Sequence, residues 1–319
     1  MKIRIISDLH LDVNHNYCFR LTPKQKEMFT IIAGDTSGDP RETIDWLKKN
    51  VKQGVFITGN HLVYNNRKLP IQELREELAA AFPKTADVTY LDNEVGVLSK
   101  EVNGILFIGT CFYTDFNLPI PWRPGDANTQ VLNMSISWRN MNDYRWGIKS
   151  KKMDGIDRGT PLSPKDYLEW HEKAFANITE LIENNEKSEK PLPVVIITHH
   201  APIKDCISGY YVNEDTNASY ASDYEWFIKA HPSIKCWVYG HMHADQKEIK
   251  IPRNDGSSCV IVNNARGYCQ RLEDSNFNVN TILDTDTWEV TRTPLSKNQL
   301  DKRKKRADEY YKRMAPFIF

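Results

Sequence analysis

Six of the nine histidines in this 319-residue chain stand in four short groups: Asp8-Leu9-His10, Asn60-His61, His199-His200 and His241-Met242-His243. Asp35, after Gly34, makes a fifth position of the same kind. Each follows a short apolar run: Ile3–Ile6, Thr30–Ala33, Val55–Thr58, Val194–Thr198 and Lys235–Tyr239. On an extended chain, residues i and i+2 point the same way, so Asp8 and His10 can reach one point in space. One Asp-x-His triplet arises readily by chance. Five strand ends that all finish in metal-competent side chains do not.

The donors are two carboxylates, one carboxamide oxygen and four or more imidazoles. All-oxygen cages suit Ca²⁺ or Mg²⁺, and thiolate cages suit structural Zn²⁺. A mixed nitrogen and oxygen set suits Mn²⁺, Fe, Zn²⁺, Co²⁺ or Ni²⁺. Seven donors exceed what one ion needs when a substrate must also bind. Two ions sharing one carboxylate is the economical arrangement.

Gathering these ends requires strands whose C-termini lie along one edge, where ligand sites form in α/β folds. Helical patterns separate the apolar runs, at Pro23–Phe29, Pro40–Lys52, Ile71–Ala81, Pro164–Asn184 and Asp223–His231. Further strands are predicted at Val88–Leu91, Val95–Ser99 and Ile105–Gly109, with Asn103-Gly104 as a hairpin turn. Four more follow at Glu248–Ile251, Cys259–Val262, Phe277–Leu283 and Trp288–Arg292. Residues 110–164, with Trp122, Trp138 and Trp146, show little periodicity. They read as a partly helical excursion, either a lid or binding loop or a helix pair packed on the core. The glycines before Asp35, Asn60 and His241 permit sharp strand exits and close approach.

The totals exclude several classes. Lys+Arg and Asp+Glu both number 42, so no global charge calls for nucleic acid or a membrane surface. No run of 18 apolar residues predicts a membrane span, and the opening strand leaves no signal-peptide core. The scattered cysteines (Cys18, Cys111, Cys206, Cys236, Cys259, Cys269) read as reduced thiols of a cytoplasmic protein. Lys297–Arg313 holds eight basic and three acidic residues, a charged helix with an interspersed solvated face rather than a nucleic-acid tether.

The blocks Asp8-Leu9-His10, Gly34-Asp35, Gly59-Asn60-His61, His199-His200-Ala201-Pro202 and Gly240-His241-Met242-His243 resemble, in order, those of the calcineurin-like metallophosphoesterases. The resemblance implies an α/β fold, a four-layer sandwich of two mixed β-sheets flanked by helices, over residues 1–295, with the charged helix at 296–319. It implies that Asp8, His10 and His243 hold one metal, that Asn60, His199 and His241 hold the other, and that Asp35 bridges them. It implies that His61 faces the substrate, either as the acid for the leaving oxygen or as a group that orients a ligand, and His200 is either a substrate contact or a support. The chain departs from the pattern twice. Leu62 stands where an acid often follows Gly-Asn-His, and the second acid of Gly-Asp-x-x-Asp falls one place late, at Asp39.

The implied activity is hydrolysis of a phosphate ester, from a small molecule or nucleotide, by in-line attack of a hydroxide shared between two divalent ions, with Mn²⁺ first in order. A phosphodiester is favoured. A phosphomonoester and a silent binding scaffold are the alternatives. Arg266 and Tyr268 after a late strand, and Arg145 in the excursion, are the candidate substrate contacts. The sequence sets no oligomeric state.

Overall fold

The computed structural model describes residues 1–14, 19–65, 68–150, 159–209, 211–243, 248–269 and 276–293, with single positions at 297, 301 and 305. Period-two alternation in the strands decides the layers. Ile3 and Ile5, Ile31 and Ala33, and Val55 and Ile57 face Val195 and Ile197, Cys236 and Val238, and Val260 and Val262 across a shared core. Their neighbours Ile6, Ile32 and Phe56 turn outward to one apolar cluster. Val194, Ile196 and Trp237 turn outward to another. Strands buried on both faces have no polar side to show, so the runs are continuously apolar.

Fourteen strands are described: β1 (Lys2–Ile6), β2 (Phe29–Ala33), β3 (Gly54–Ile57), β4 (Val88–Tyr90), β5 (Ser99–Val102), β6 (Ile105–Thr110), β7 (Ile148–Ser150), β8 (Thr160–Pro161), β9 (Val194–Thr198), β10 (Ile234–Tyr239), β11 (Ile249–Pro252), β12 (Ser258–Asn263), β13 (Thr281–Asp284) and β14 (Glu289–Arg292). One sheet runs β14-β13-β1-β2-β3-β4 and the other β11-β12-β10-β9-β6-β5. In the first, β1 to β4 are parallel. In the second, β12, β10, β9 and β6 are parallel. Each sheet therefore brings the C-terminal ends of four strands to one edge.

The helices are α1 (Pro23–Lys26), α2 (Pro40–Asn50), α3 (Ile71–Ala81), α4 (Thr129–Asn140), α5 (Asp143–Trp146), α6 (Pro164–Glu186) and α7 (Glu225–Ala230). Trp46 and Leu47 of α2 and Leu74 and Leu78 of α3 cover the first sheet. Ile178 and Ile182 of α6 and Phe227 of α7 cover the second. This is the four-layer α/β sandwich of two mixed sheets expected from the sequence.

Three elements differ from expectation, and one of them, the strand predicted over Phe277–Leu283, begins only at Thr281, after a turn in which the Thr281 N–H donates to the Asn278 carbonyl. The strand predicted over Val95–Ser99 begins only at Ser99, because Asp92 caps a 3-10 turn over Asn93–Val95 and Gly96, at φ 75°, closes it. The helix predicted over Pro23–Phe29 stops at Lys26, since Phe29 is drawn into β2 opposite Ile3. The Asn103-Gly104 turn is present, with both residues at positive φ, as a two-residue hairpin between antiparallel strands requires. The excursion packs on the core through Tyr144, which is buried beside Tyr167 of α6, while Trp122, Trp138 and Trp146 are exposed.

Cys111, Cys206, Cys236 and Cys259 are buried and form no disulfide, and Cys18 lies outside the described residues. The C-terminal helix expected over 296–319 also lies outside them, apart from three isolated positions. Among the described residues no helix is long and apolar enough to cross a membrane.

Candidate metal centre

All five strand-end groups converge. Asp8, His10, Asp35 and His241 adopt left-handed backbone, at φ 54°, 46°, 49° and 64°. Non-glycine residues rarely do so, and such conformations cluster where a side chain must be aimed rather than relaxed. The preceding glycines leave no room for a side chain. A Cβ on Gly34 would stand 2.3 Å from His199 Nδ1, and one on Gly59 would stand 2.2 Å from Asp35 Oδ1.

Three donor groups have their atoms within 4.8 Å of one another: Asp8, His10 and His243; His10, Asp35 and His61; and Asp35, His199 and His241. His199 Nδ1 donates to the Ala33 carbonyl at 2.9 Å. Its Nε2 then faces Asn60 Oδ1 at 3.1 Å and Asp35 Oδ2 at 3.1 Å. Two oxygens and one ring nitrogen facing inward require a positive charge among them, a proton or a metal cation. In the second cage two ring nitrogens face one carboxylate. His243 Nε2 lies 3.1 Å from His10 Nε2 and 3.2 Å from Asp8 Oδ1. His241 Nε2 is buried with no hydrogen bond, while its backbone N–H donates to the Asp8 carboxylate at 3.0 Å. These residues fit divalent cations by the chemistry of their donors.

The electrostatics agree. Burial lowers the basicity of His199, but the Asp35 carboxylate, with Asp8 behind it, outweighs burial and holds the pKa up at about 9. Burial would raise Asp35, yet the imidazoles of His199, His61 and His10 hold it well below the usual carboxylate range. Burial keeps His10 and His241 well below the ordinary imidazole value, and neighbouring histidines add to this.

His61 is nearly buried. Its backbone N–H donates to Asp35 Oδ1 at 3.0 Å, and its Nε2 lies 2.7 Å from the Tyr268 hydroxyl. The Tyr268 ring also packs on His10, with centroids 4.4 Å apart. His200 is buried beside the His241 ring, its Nδ1 3.5 Å from the Cys111 carbonyl. Burial, with His199 next, lowers its pKa to about 3.

The late segment braces the site. Asn263 Nδ2 donates to the Gly240 and Met242 carbonyls, and the Gly267 N–H donates to the Asp8 carbonyl. The Arg266 guanidinium lies over the Phe19 ring at 5.2 Å. Arg145 is exposed and donates to Asn142 and to the Arg139 carbonyl.

Asp143 belongs to the Asn142–Arg145 stretch of the excursion that supplies Arg145, and nothing in the sequence sets it apart from its neighbours there. It is buried and accepts from Asn60 Nδ2 at 3.1 Å and 3.3 Å, from the Tyr64 hydroxyl, and from the Tyr167 hydroxyl at 3.3 Å. Of the two departures from the family pattern, Leu62 is a core residue. Asp39 is the N-cap of α2, accepting from the Arg41 N–H at 2.9 Å.

Residues 1–245 match the calcineurin-like phosphoesterase family. An uncharacterized protein of Acanthamoeba polyphaga mimivirus is 24% identical over 307 residues, which cover 89% of this chain and 96% of the viral protein. The crystal structure of the phosphopantetheinyl hydrolase from Mycobacterium tuberculosis is similar in fold. Its TM-score is 0.57 at 17% identity, covering 84% of this chain and 90% of that one.

Proposed function

The chain belongs to the calcineurin-like phosphoesterases, metal-dependent hydrolases of phosphoric esters, and on that premise we propose that it hydrolyses a phosphodiester at a two-ion centre. The observation that carries the proposal is the pair of inward-facing cages, one around Asp8 with His10 and His243, the other around His199 with Asn60 and Asp35. In this reading Asp8, His10 and His243 would hold one ion, Asn60, His199 and His241 would hold the other, and Asp35 would be the carboxylate they share. Residues 1–295 form the phosphoesterase unit, with 110–164 as an excursion and 296–319 as an appendage. The mixed nitrogen and oxygen donors without thiolate suit Mn²⁺, Fe, Zn²⁺, Co²⁺ or Ni²⁺, and manganese is the first of these to test.

Bound divalent cations supply the charge that makes water nucleophilic at neutral pH and that neutralises the oxygens of a reacting phosphate. The chain supplies the rest. His61 gives a proton to the leaving oxygen, as a positioned imidazole can. Tyr268, at 2.7 Å, holds the His61 ring in place. Asp35 fixes the turn that carries His61 by accepting its backbone N–H. The Tyr268 ring against His10 and the Tyr220 ring against His241 are flat surfaces that suit a second ester substituent.

The test is chelated protein reloaded separately with Mn²⁺, Fe²⁺, Zn²⁺, Co²⁺ or Ni²⁺. Each form is assayed on p-nitrophenyl phosphate, its bis-ester, cyclic nucleotides and a phosphopantetheinyl ester, the last suggested by the structural neighbour's name. Hydrolysis of diesters faster than the monoester is expected. A faster monoester makes the protein a phosphomonoesterase on the same site. Two bound ions without hydrolysis of any substrate make it a binding scaffold.

A further inference from the structure

We propose that Asp143 is a positioning residue for the metal centre: it fixes which end of the Asn60 carboxamide faces the cage. The inference rests on the two-ion reading above and names a residue outside the strand-end motifs. The two ends of a carboxamide are nearly equal in size, so packing alone does not choose between them. Hydrogen-bonding chemistry does. Burial raises the Asp143 pKa above the usual carboxylate value, against the hydrogen bonds from Tyr64 and Asn60; in its ionised form the carboxylate only accepts, and the amide nitrogen only donates.

Asp143 accepts from Asn60 Nδ2 through both oxygens, at 3.1 Å and 3.3 Å. That leaves Asn60 Oδ1 directed at His199 Nε2, 3.1 Å away. Turned over, the carboxamide would set its oxygen against a carboxylate and its N–H₂ into a cage that must hold a cation. Asp143 is itself held from two other elements. Tyr64 ends the 3-10 turn that begins at Asn60, and Tyr167 lies on α6; both hydroxyls donate to it. A continuous line of hydrogen bonds therefore runs from α6 and α5 through Asp143, Asn60 and His199 to the Ala33 carbonyl at the end of β2. Along that line the excursion reaches the centre through one side chain. Leu62, two residues after Asn60, is apolar and cannot take its place.

The experiment measures metal rather than turnover. Full-length wild type, Asp143→Ala, Asp143→Asn, Asn60→Ala and the Asp143→Ala/Asn60→Ala double variant are stripped with chelator and titrated with Mn²⁺. Ions per chain are counted by plasma mass spectrometry and affinities read by calorimetry. Asp143→Ala should weaken one of the two ions by about 10- to 100-fold, the range for a group that orients a ligand. Asp143→Asn, whose carboxamide can accept from Asn60 but can also donate to it when it is turned over, should fall between Asp143→Ala and wild type. In the Asn60→Ala background, Asp143→Ala should add less than about twofold, because its partner is gone.

Should Asp143→Ala not fold, Asp143→Ser is held to the same outcomes, being polar but too short to reach Asn60. Wild-type affinity for both ions in Asp143→Ala, with only a lowered melting temperature, overturns the proposal in favour of an anchor for the excursion. An equal loss in both backgrounds also overturns it. Wild-type protein that binds no Mn²⁺ removes the two-ion reading itself and this inference with it.

Discussion

The Tyr268 hydroxyl lies 2.7 Å from Nε2 of His61, two residues 207 positions apart in the chain. The contact closes the loop after β12 over the turn after β3. It gives His61 a fixed ring orientation without using either oxygen of Asp35. His61 also stands within reach of His10 and Asp35 as a conceivable ligand, so metal content decides between the two roles. His61→Ala is expected to keep both ions and to lower turnover by about 10²-fold or more, the usual worth of a positioned acid. Tyr268→Phe is expected to keep both ions and to cost about 10- to 100-fold. Metal analysis beside single-turnover kinetics checks both, and loss of an ion in His61→Ala makes it a ligand instead.

Asp8 has a different signature. Its carboxylate faces His243 Nε2 at 3.2 Å and accepts the His241 N–H through both oxygens. Removing it takes a proposed ligand from one cage and the brace from the loop that carries both late histidines. Asp8→Ala should lose one ion of two, counted by mass spectrometry after reloading, with turnover lowered by at least about 10²-fold. Retention of two tightly bound ions would remove Asp8 from the centre.

Gly59→Ala tests close approach rather than chemistry. Gly59 sits at φ −113°, a backbone any residue adopts. An added methyl is therefore resisted by contact, with Asp35 Oδ1 at 2.2 Å, His199 Nε2 at 2.5 Å and Asp35 Cγ at 2.6 Å. Those atoms belong to two candidate ligands, and displacement of about 1 Å at a reacting centre can cost about 10²-fold. The variant should fold, with a wild-type circular dichroism spectrum, yet bind metal weakly. A fully loaded, active Gly59→Ala would mean the cage has slack that the contacts deny.

Much of this was legible in the sequence, because strand ends are local and buried strands are continuous apolar runs. Ile3–Ile6 followed by Asp8 and His10 places two donors without any knowledge of what lies opposite. The partition into two cages needed the resemblance, since nothing local ties His243 to Asp8 across 235 positions. Val95–Ser99 misled because its valines are apolar, whereas the cap at Asp92 and the left-handed Gly96 decide the backbone there. Asp143 was illegible for a deeper reason. It lies in an aperiodic stretch, on a helix of four residues, and its meaning comes only from Asn60, 83 positions away.

Loading the centre should release a proton. Without a cation, His199 donates Nδ1–H to Ala33, and Asp35 and Asp8 outweigh burial to keep a second proton on Nε2 up to about pH 9. A cation needs that Nε2 lone pair, so below pH 9 it must displace the proton, and above it there is none to displace. His10 and His241 are already neutral at pH 7, because burial holds both well below the ordinary imidazole range, and they have nothing to give up. Asp35 is likewise already ionised. The sign follows: affinity for the ion at His199 should fall about tenfold per pH unit as pH drops below 9, and level off above it. Calorimetry of Mn²⁺ loading at pH 7 in two buffers of different ionisation enthalpy should show about one proton released from this group. Release that vanishes in His199→Ala at Mn²⁺ concentrations that still fill the site would assign it to His199. No release in wild type would mean that Nε2 carries no proton to displace.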